Sequence, residues 1–69
     1  MRLYKVKSSM INKIGWNRKD KTLVVEFSNG YRYAYPKVSA KLCNQLWVAP
    51  SVGSFFCKKI KNRPFVKLF

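Results

Sequence analysis

Apolar and polar residues alternate along the first half of the chain. In residues 10–16, MINKIGW, Met10, Ile14 and Trp16 share one parity. Residues 22–27, TLVVEF, set Leu23, Val25 and Phe27 on one side and Val24 and Glu26 on the other; YRYAY, 31–35, alternates in the same way. A period of two marks half-buried strands. These three segments are therefore predicted strands, with Gly15 at a bend or bulge and the charged stretch 17–21, NRKDK, as a turn.

The Ser28-Asn29-Gly30 stretch decides which side chains share a face. A two-residue Asn29-Gly30 loop would set Phe27 opposite Arg32 and Val25 opposite Ala34. A three-residue loop, a type I turn closed by a left-handed glycine, shifts the pairing by one residue, and that exchanges the faces. Phe27 then meets Tyr31, Val25 meets Tyr33 and Leu23 meets Tyr35, while Glu26 meets Arg32 on the other side. This register gathers the large apolar groups and gives the acid a cationic partner, so it is the one expected. The tyrosines are then read as core, packed under helices with hydroxyls at the rim, in preference to an exposed stacking platform.

The period lengthens after Pro36. Residues 38–49, VSAKLCNQLWVA, carry Val38, Leu42, Leu46 and Ala49 on one helical stripe, widened by Cys43 and Trp47. Ser39 is the expected N-cap, and Pro50 stops the helix. A second helix over 51–63 is capped by Ser51 and buries Val52, Phe56 and Ile60, with Phe55 beside them. The tail PFVKLF, 64–69, reads either as an extended segment along a sheet edge or as a docking tail. The expected class is α+β: a three-stranded antiparallel meander followed by two helices packed on one face, with a short C-terminal tail, in a single domain spanning 1–69.

Composition fits a folded chain and adds one unusual feature. Of 69 residues, 48% are hydrophobic and 16% aromatic, far from a disordered composition. Fifteen Lys and Arg stand against two acids, Asp20 and Glu26, for a net charge of +13. A polyanionic partner would relieve that self-repulsion. Cys43 and Cys57 sit in apolar segments and are expected to be free, buried thiols rather than a disulfide. With no histidine and no CxxC pair, no metal site is expected. No apolar run is long enough to span a bilayer, and the start of the chain lacks a secretory pattern. A cytoplasmic location is expected, the host cytoplasm if the chain is phage-encoded.

Three segments, SSMINKIGW, LVVEFSNGYRYAYPKV and APSVGSFFCKKIK, together resemble the KTSC domain over about residues 8–61. The family is named for its occurrence at the C-terminus of some lysyl-tRNA synthetases, and it also stands alone in bacteria and phages. Its central YxY motif falls on Tyr33 and Tyr35; Trp16 replaces the Tyr expected after the glycine. The resemblance implies RNA binding.

Catalysis is hard to build from these residues. There is no histidine to act as base, Glu26 is matched to Arg32, and neither cysteine has an evident activating partner; no enzymatic activity and no cofactor are expected. SVGS, 51–54, is read as a helix start with Gly53 packed closely on a neighbour, in preference to an anion-holding loop. Binding is the stronger class. The cations fall in clusters: Lys5 and Lys7; Arg18, Lys19 and Lys21; Lys58, Lys61 and Arg63 toward the second helix's end. The hairpin turn and the helix end are expected as the main contacts, with Tyr4, Trp16 or the edge of Tyr33 adding base stacking. The expected function is that of a small basic nucleic-acid-binding protein, RNA favoured over DNA, acting as a monomer through phosphate contacts. The alternative is a phage-type regulator that docks on an acidic host protein such as RNA polymerase. A membrane-surface role is disfavoured, because the core consumes the apolar groups.

Overall fold

In the computed structural model, residues 2–68 are described. The elements run β1 (Tyr4–Lys5), β2 (Ile11–Asn17), β3 (Thr22–Phe27), β4 (Arg32–Tyr35), α1 (Ala40–Val48), α2 (Val52–Lys59) and β5 (Val66–Lys67). The strands form one antiparallel sheet in the order β1-β2-β3-β4-β5. The class is α+β, and the sheet has five strands where the alternation predicted three. The two additional strands are two residues long, too short to show a period. They add to the free edges of β2 and β4, and β5 settles the tail as a sheet-edge segment.

The β3–β4 register is the one expected. Leu23 pairs with Tyr35, Val25 with Tyr33, and Glu26 with Arg32. Gly30 closes the loop at φ 93°, and the Phe27 N–H donates to the Tyr31 carbonyl at 2.8 Å. Left-handed backbone of this kind suits glycine, which has no Cβ to clash. Arg32 Nη2 lies 2.7 Å from Glu26 Oε1, and Asn12 Nδ2 donates to the other carboxylate oxygen at 2.8 Å. These hydrogen bonds, Arg32 first and then Asn12, hold the Glu26 carboxyl below the usual carboxylate range.

The β2 register departs from simple alternation. Ile11 pairs with Phe27 and Lys13 with Glu26, so Asn12 is the extra residue of a β-bulge. The bulge lets Ile11 and Ile14, three apart, both reach the core, where each is fully buried; Met10, expected in the strand, is only partly buried beside it. Gly15 lies in regular pairing with Val24 instead of at a bend. Its need for glycine is a close approach: a Cβ there would meet the Arg2 carbonyl oxygen at 2.5 Å and Leu3 Cδ2 at 2.7 Å.

Both helices cover the sheet face that carries Ile14, Leu23, Val25 and Tyr35, and the core joins these to Cys43, Leu46, Val52, Phe56 and Ile60. Helix α1 starts at its expected cap, with Ser39 Oγ accepting from the Leu42 N–H at 3.1 Å. Val38 precedes the helix instead of lying on its stripe, and it is fully buried. Val38 and Cys43 flank the cap as an apolar pair of the kind that fixes a helix entry. Trp47, expected to widen the buried stripe, is exposed and packs edge-on against Tyr4 at 6.2 Å. Helix α2 ends at Lys59, four residues short of the expected 63; Ile60 leaves helical geometry at φ −121°. Burial of Ile60 and the approach to Pro64, which disfavours helix in the residue before it, turn the chain away. Lys61 and Arg63 therefore lie in the following turn, not on the helix.

Candidate functional site

The tyrosines of β4 lie on the helix-covered side at graded depth. Tyr35 is 1% exposed, Tyr33 is half-buried and Tyr31 is 46% exposed. Phe56 of α2 reaches along this face, edge-on to both Tyr35 and Phe27 at 5.5 Å, while Tyr31, beside the loop, lies beyond it. Beside the Phe27–Tyr31 end a cleft of about 430 Å³ opens. Phe27, Phe56, Tyr33 and Phe65 form much of its wall. Phe27 meets Tyr33 edge-on at 5.1 Å and Phe56 edge-on at 5.5 Å, and Phe65 stacks on Tyr33 at 4.5 Å with an interplanar angle of 9°. Ser28, Asn29, Lys61 and Asn62 line the cleft with polar groups. Asn29 Oδ1 accepts from the Tyr31 N–H at 3.1 Å. Lys67 Nζ sits 4.2 Å from the centre of the Tyr31 ring, a cation–π arrangement.

The cationic clusters of the sequence do not stay together. Lys58 lines a second cleft, of about 540 Å³, with Lys7, Ser8, Ser9 and Ser54. Lys61 lines the aromatic cleft instead. Arg63 Nη2 donates to the Lys37 carbonyl at 3.0 Å, so part of its hydrogen-bonding capacity holds a backbone turn in which Lys37 has φ 60°. The adjacent Val38 N–H donates to the Lys21 carbonyl at 2.8 Å. The Lys37–Val38 backbone thus ties Arg63 to the hairpin turn of Arg18, Lys19 and Lys21, a proximity the sequence did not disclose. That turn is exposed, and it is set by Asn17 Oδ1 accepting from the Lys19 N–H and Asp20 Oδ1 accepting from the Thr22 N–H. Lys5 parts from Lys7: it pairs with Lys13 on β2, on the sheet face away from the helices, in the row that continues to Glu26 and Arg32.

Several expected contact residues have other tasks. Trp16 is half-buried and donates its Nε1–H to the Val38 carbonyl at 2.9 Å, so it anchors the segment before α1. Tyr35 of the YxY pair is core, and burial, with Tyr33 a smaller contributor, pushes its phenol up to about 12. Cys43 is buried and Cys57 only partly so, its Sγ 3.9 Å from Met10 Sδ; both are free thiols. Burial pushes the Cys43 thiol up, the opposite of an activated nucleophile. Gly53 packs as expected: a Cβ there would lie 3.1 Å from Ser8 Oγ. The sequence reading missed Phe65 and Lys67. Their signal was the two-residue spacing of Phe65 and Lys67, which puts them on one side of an extended segment.

A KTSC domain model matches residues 7–65. The chain belongs to the KTSC domain family. A lysine–tRNA ligase from Nostoc punctiforme is 38% identical over 61 residues, which cover 88% of this chain and 11% of that protein. The chain thus spans about a ninth of the length of that relative. The crystal structure of a KTSC domain protein from Yersinia pestis superposes with a TM-score of 0.91 at 28% identity, covering 99% of this chain and 97% of the other. That KTSC domain protein shares the fold over nearly the full length of both chains. No helix among the described residues is long and apolar enough to cross a membrane.

Proposed function

We propose that this KTSC domain binds single-stranded nucleic acid, RNA in preference to DNA, mainly through phosphate contacts. The observation that carries the reading is an almost unopposed positive charge on a folded surface. The net charge is +13, and the acid that is firmly engaged, Glu26, is matched to Arg32 within the sheet. The hairpin turn, Lys7, Lys58 and Lys61 lie on exposed surface, where cations release the counterions of a phosphate chain. Similarity to a segment of a lysine–tRNA ligase, a protein named for a tRNA reaction, supports RNA as the polyanion.

The test is anisotropy of labelled single-stranded RNA, single-stranded DNA and duplex RNA across a salt series. Single strands are expected to bind with a log–log slope of about −0.7 per neutralised phosphate, and RNA more tightly than DNA. Charge reversal at Arg18, Lys19 and Lys21 should flatten the slope while the melting curve holds. Binding that is absent at low salt, or indifferent to salt, would overturn the proposal. Capture of an acidic protein from lysate that survives nuclease treatment, with no oligonucleotide binding, would point instead to the regulator reading.

A further inference from the structure

We infer that the aromatic cleft between the β3–β4 loop and the turn after α2 receives one unstacked nucleobase of a single-stranded nucleic acid. The inference rests on the proposed nucleic-acid binding and assigns it a specific subsite. Its volume, about 430 Å³, falls within the range of roughly 300–1,000 Å³ found for small-ligand sites. Six of its eleven lining residues are aromatic, with Phe65 45% exposed and Tyr31 46% exposed. Two large aromatic groups left half in water gain from a planar partner that covers them.

Charge decides the kind of partner. Lys61 lines the cleft, and Lys67 stands over Tyr31 at 4.2 Å. A ligand that satisfies the whole site is flat and aromatic in one part and anionic in the next. A nucleotide within a strand has that form: its base meets rings and its flanking phosphates meet ammonium groups. An aromatic peptide side chain covers the rings and leaves the lysines unmatched; an acidic one does the reverse. Ser28, Asn29 and Asn62 supply hydrogen-bonding groups for a base edge. Since Asn29 Oδ1 already accepts from Tyr31, its amide nitrogen is the group it has to offer, to a carbonyl or ring-nitrogen acceptor. A paired base cannot enter, because its faces are covered by neighbouring pairs; single strands are selected.

The experiment uses the full chain with two oligouridylates, one carrying a central 2-aminopurine and one an abasic site at that position. Wild-type protein should quench the 2-aminopurine and bind the abasic strand about tenfold or more weakly, as expected when a stacked base is removed. Phe65→Ala and Tyr31→Ala should each abolish the quench and reduce affinity for the base-bearing strand toward that for the abasic strand, with circular dichroism and melting near wild type. Phe65→Leu keeps apolar bulk without a ring face, and should behave like Phe65→Ala if stacking is the contact. The wild-type comparison of the two strands stands even if a variant misfolds. Absence of binding to both strands at low salt overturns the nucleic-acid reading and the cleft assignment with it. Equal, salt-dependent binding of both strands with unchanged 2-aminopurine emission overturns the cleft assignment alone. An acidic aromatic peptide that binds with Phe65 dependence, while the oligonucleotide shows none, gives the cleft to a protein partner and also overturns it.

Discussion

The β3–β4 ladder has two ends built from the same residue types and put to different uses. At one end Leu23 and Tyr35 face each other under the helices, 0% and 1% exposed. At the other, Phe27 and Tyr31 are joined by a backbone hydrogen bond, with Phe27 half-buried and Tyr31 largely in solvent. Alternation fixes which face a side chain takes; it does not fix how deep that side chain lies. Depth comes from what packs above each position. Phe56 of α2 covers Tyr35 and reaches Phe27, each at 5.5 Å. Past the end of α2 at Lys59, Lys61, Asn62 and Phe65 line the cleft beside Tyr31, and Lys67 stands over the Tyr31 ring.

The sharpest test of this contrast is truncation at each end. Leu46→Ala, beneath the closed end, should cost about 2–5 kcal/mol through lost burial and a cavity. A chain of 69 residues has a total stability of roughly 3–10 kcal/mol at 0.05–0.15 kcal/mol per residue, so this change removes a large share of it. Tyr31→Ala at the open end should cost below about 1 kcal/mol, because that ring is already half in water. Urea titrations of the two variants measure both. Comparable losses would mean that the open end is core after all.

Legibility of the chain divides along the same line. The β3–β4 register followed from two facts visible in the sequence, a glycine that permits positive φ and the mismatch of placing Arg32 among Val25 and Phe27. The caps Ser39 and Ser51 were legible for a similar reason, since each sits just before an apolar stripe and just after a proline-marked break. What could not be read depends on chain segments far apart in sequence. The Asn12 bulge exists because Asn12 finds Glu26, fourteen residues away, at 2.8 Å. The short edge strands depend on partners supplied by β2 and β4. The cationic clusters were contiguous as text, but Lys58, Lys61 and Arg63 enter three different surroundings once the chain turns at Ile60. The aromatic cleft was the least legible feature, being bounded by a hairpin loop, one side chain of α2 and the turn and tail after it, segments far apart in sequence.

The closed end is also sealed from behind, which a second substitution probes. On the far face Val24 is 8% exposed and pairs with Gly15, over which residues 2 and 3 cross. Gly15→Val would drive a side chain into the Arg2 carbonyl oxygen, a backbone atom that cannot rotate away. The expected cost is about 1–3 kcal/mol, of the size seen for overpacking, accompanied by release of β1. Amide exchange at Val6, whose N–H donates to the Asn12 carbonyl at 3.2 Å, should accelerate in the variant, while exchange in the core of α1 follows global stability. An unaltered Val6 would show that the crossing segment shifts freely and seals nothing.

Alkaline titration separates the ends by a different property. The Tyr35 phenol ionises at about 12 in the folded protein, raised chiefly by burial, and near 10 in the unfolded chain. Between those values the unfolded state has lost the proton that the folded state keeps, so stability falls as pH rises above about 10. Tyr31→Phe should leave that alkaline loss in place, whereas Tyr35→Phe should reduce it. Melting curves at several pH values above neutrality compare the two; equal effects of both substitutions would contradict the difference in depth.

The smallest effect is expected at the acid limit, and it belongs to the open end. Glu26 and Arg32 close the ladder there on the far face, and Asn12 adds a second hydrogen bond to the carboxylate. Because the folded carboxyl titrates below its unfolded value, its contribution is present above the ordinary carboxylate range and is lost as pH falls through the folded value. The pair faces water in part, so its share is small. Glu26→Gln removes the titration and keeps an acceptor for Asn12 or Arg32. Its melting temperature should be slightly lower than that of wild type at neutral pH and should converge on it in acid. Loss of that convergence would assign the acid sensitivity to general repulsion among the fifteen cations, which protonation of any carboxylate strengthens. Double substitution with Arg32→Gln completes the cycle: if Glu26 acts through Arg32, the second change adds less than it does alone.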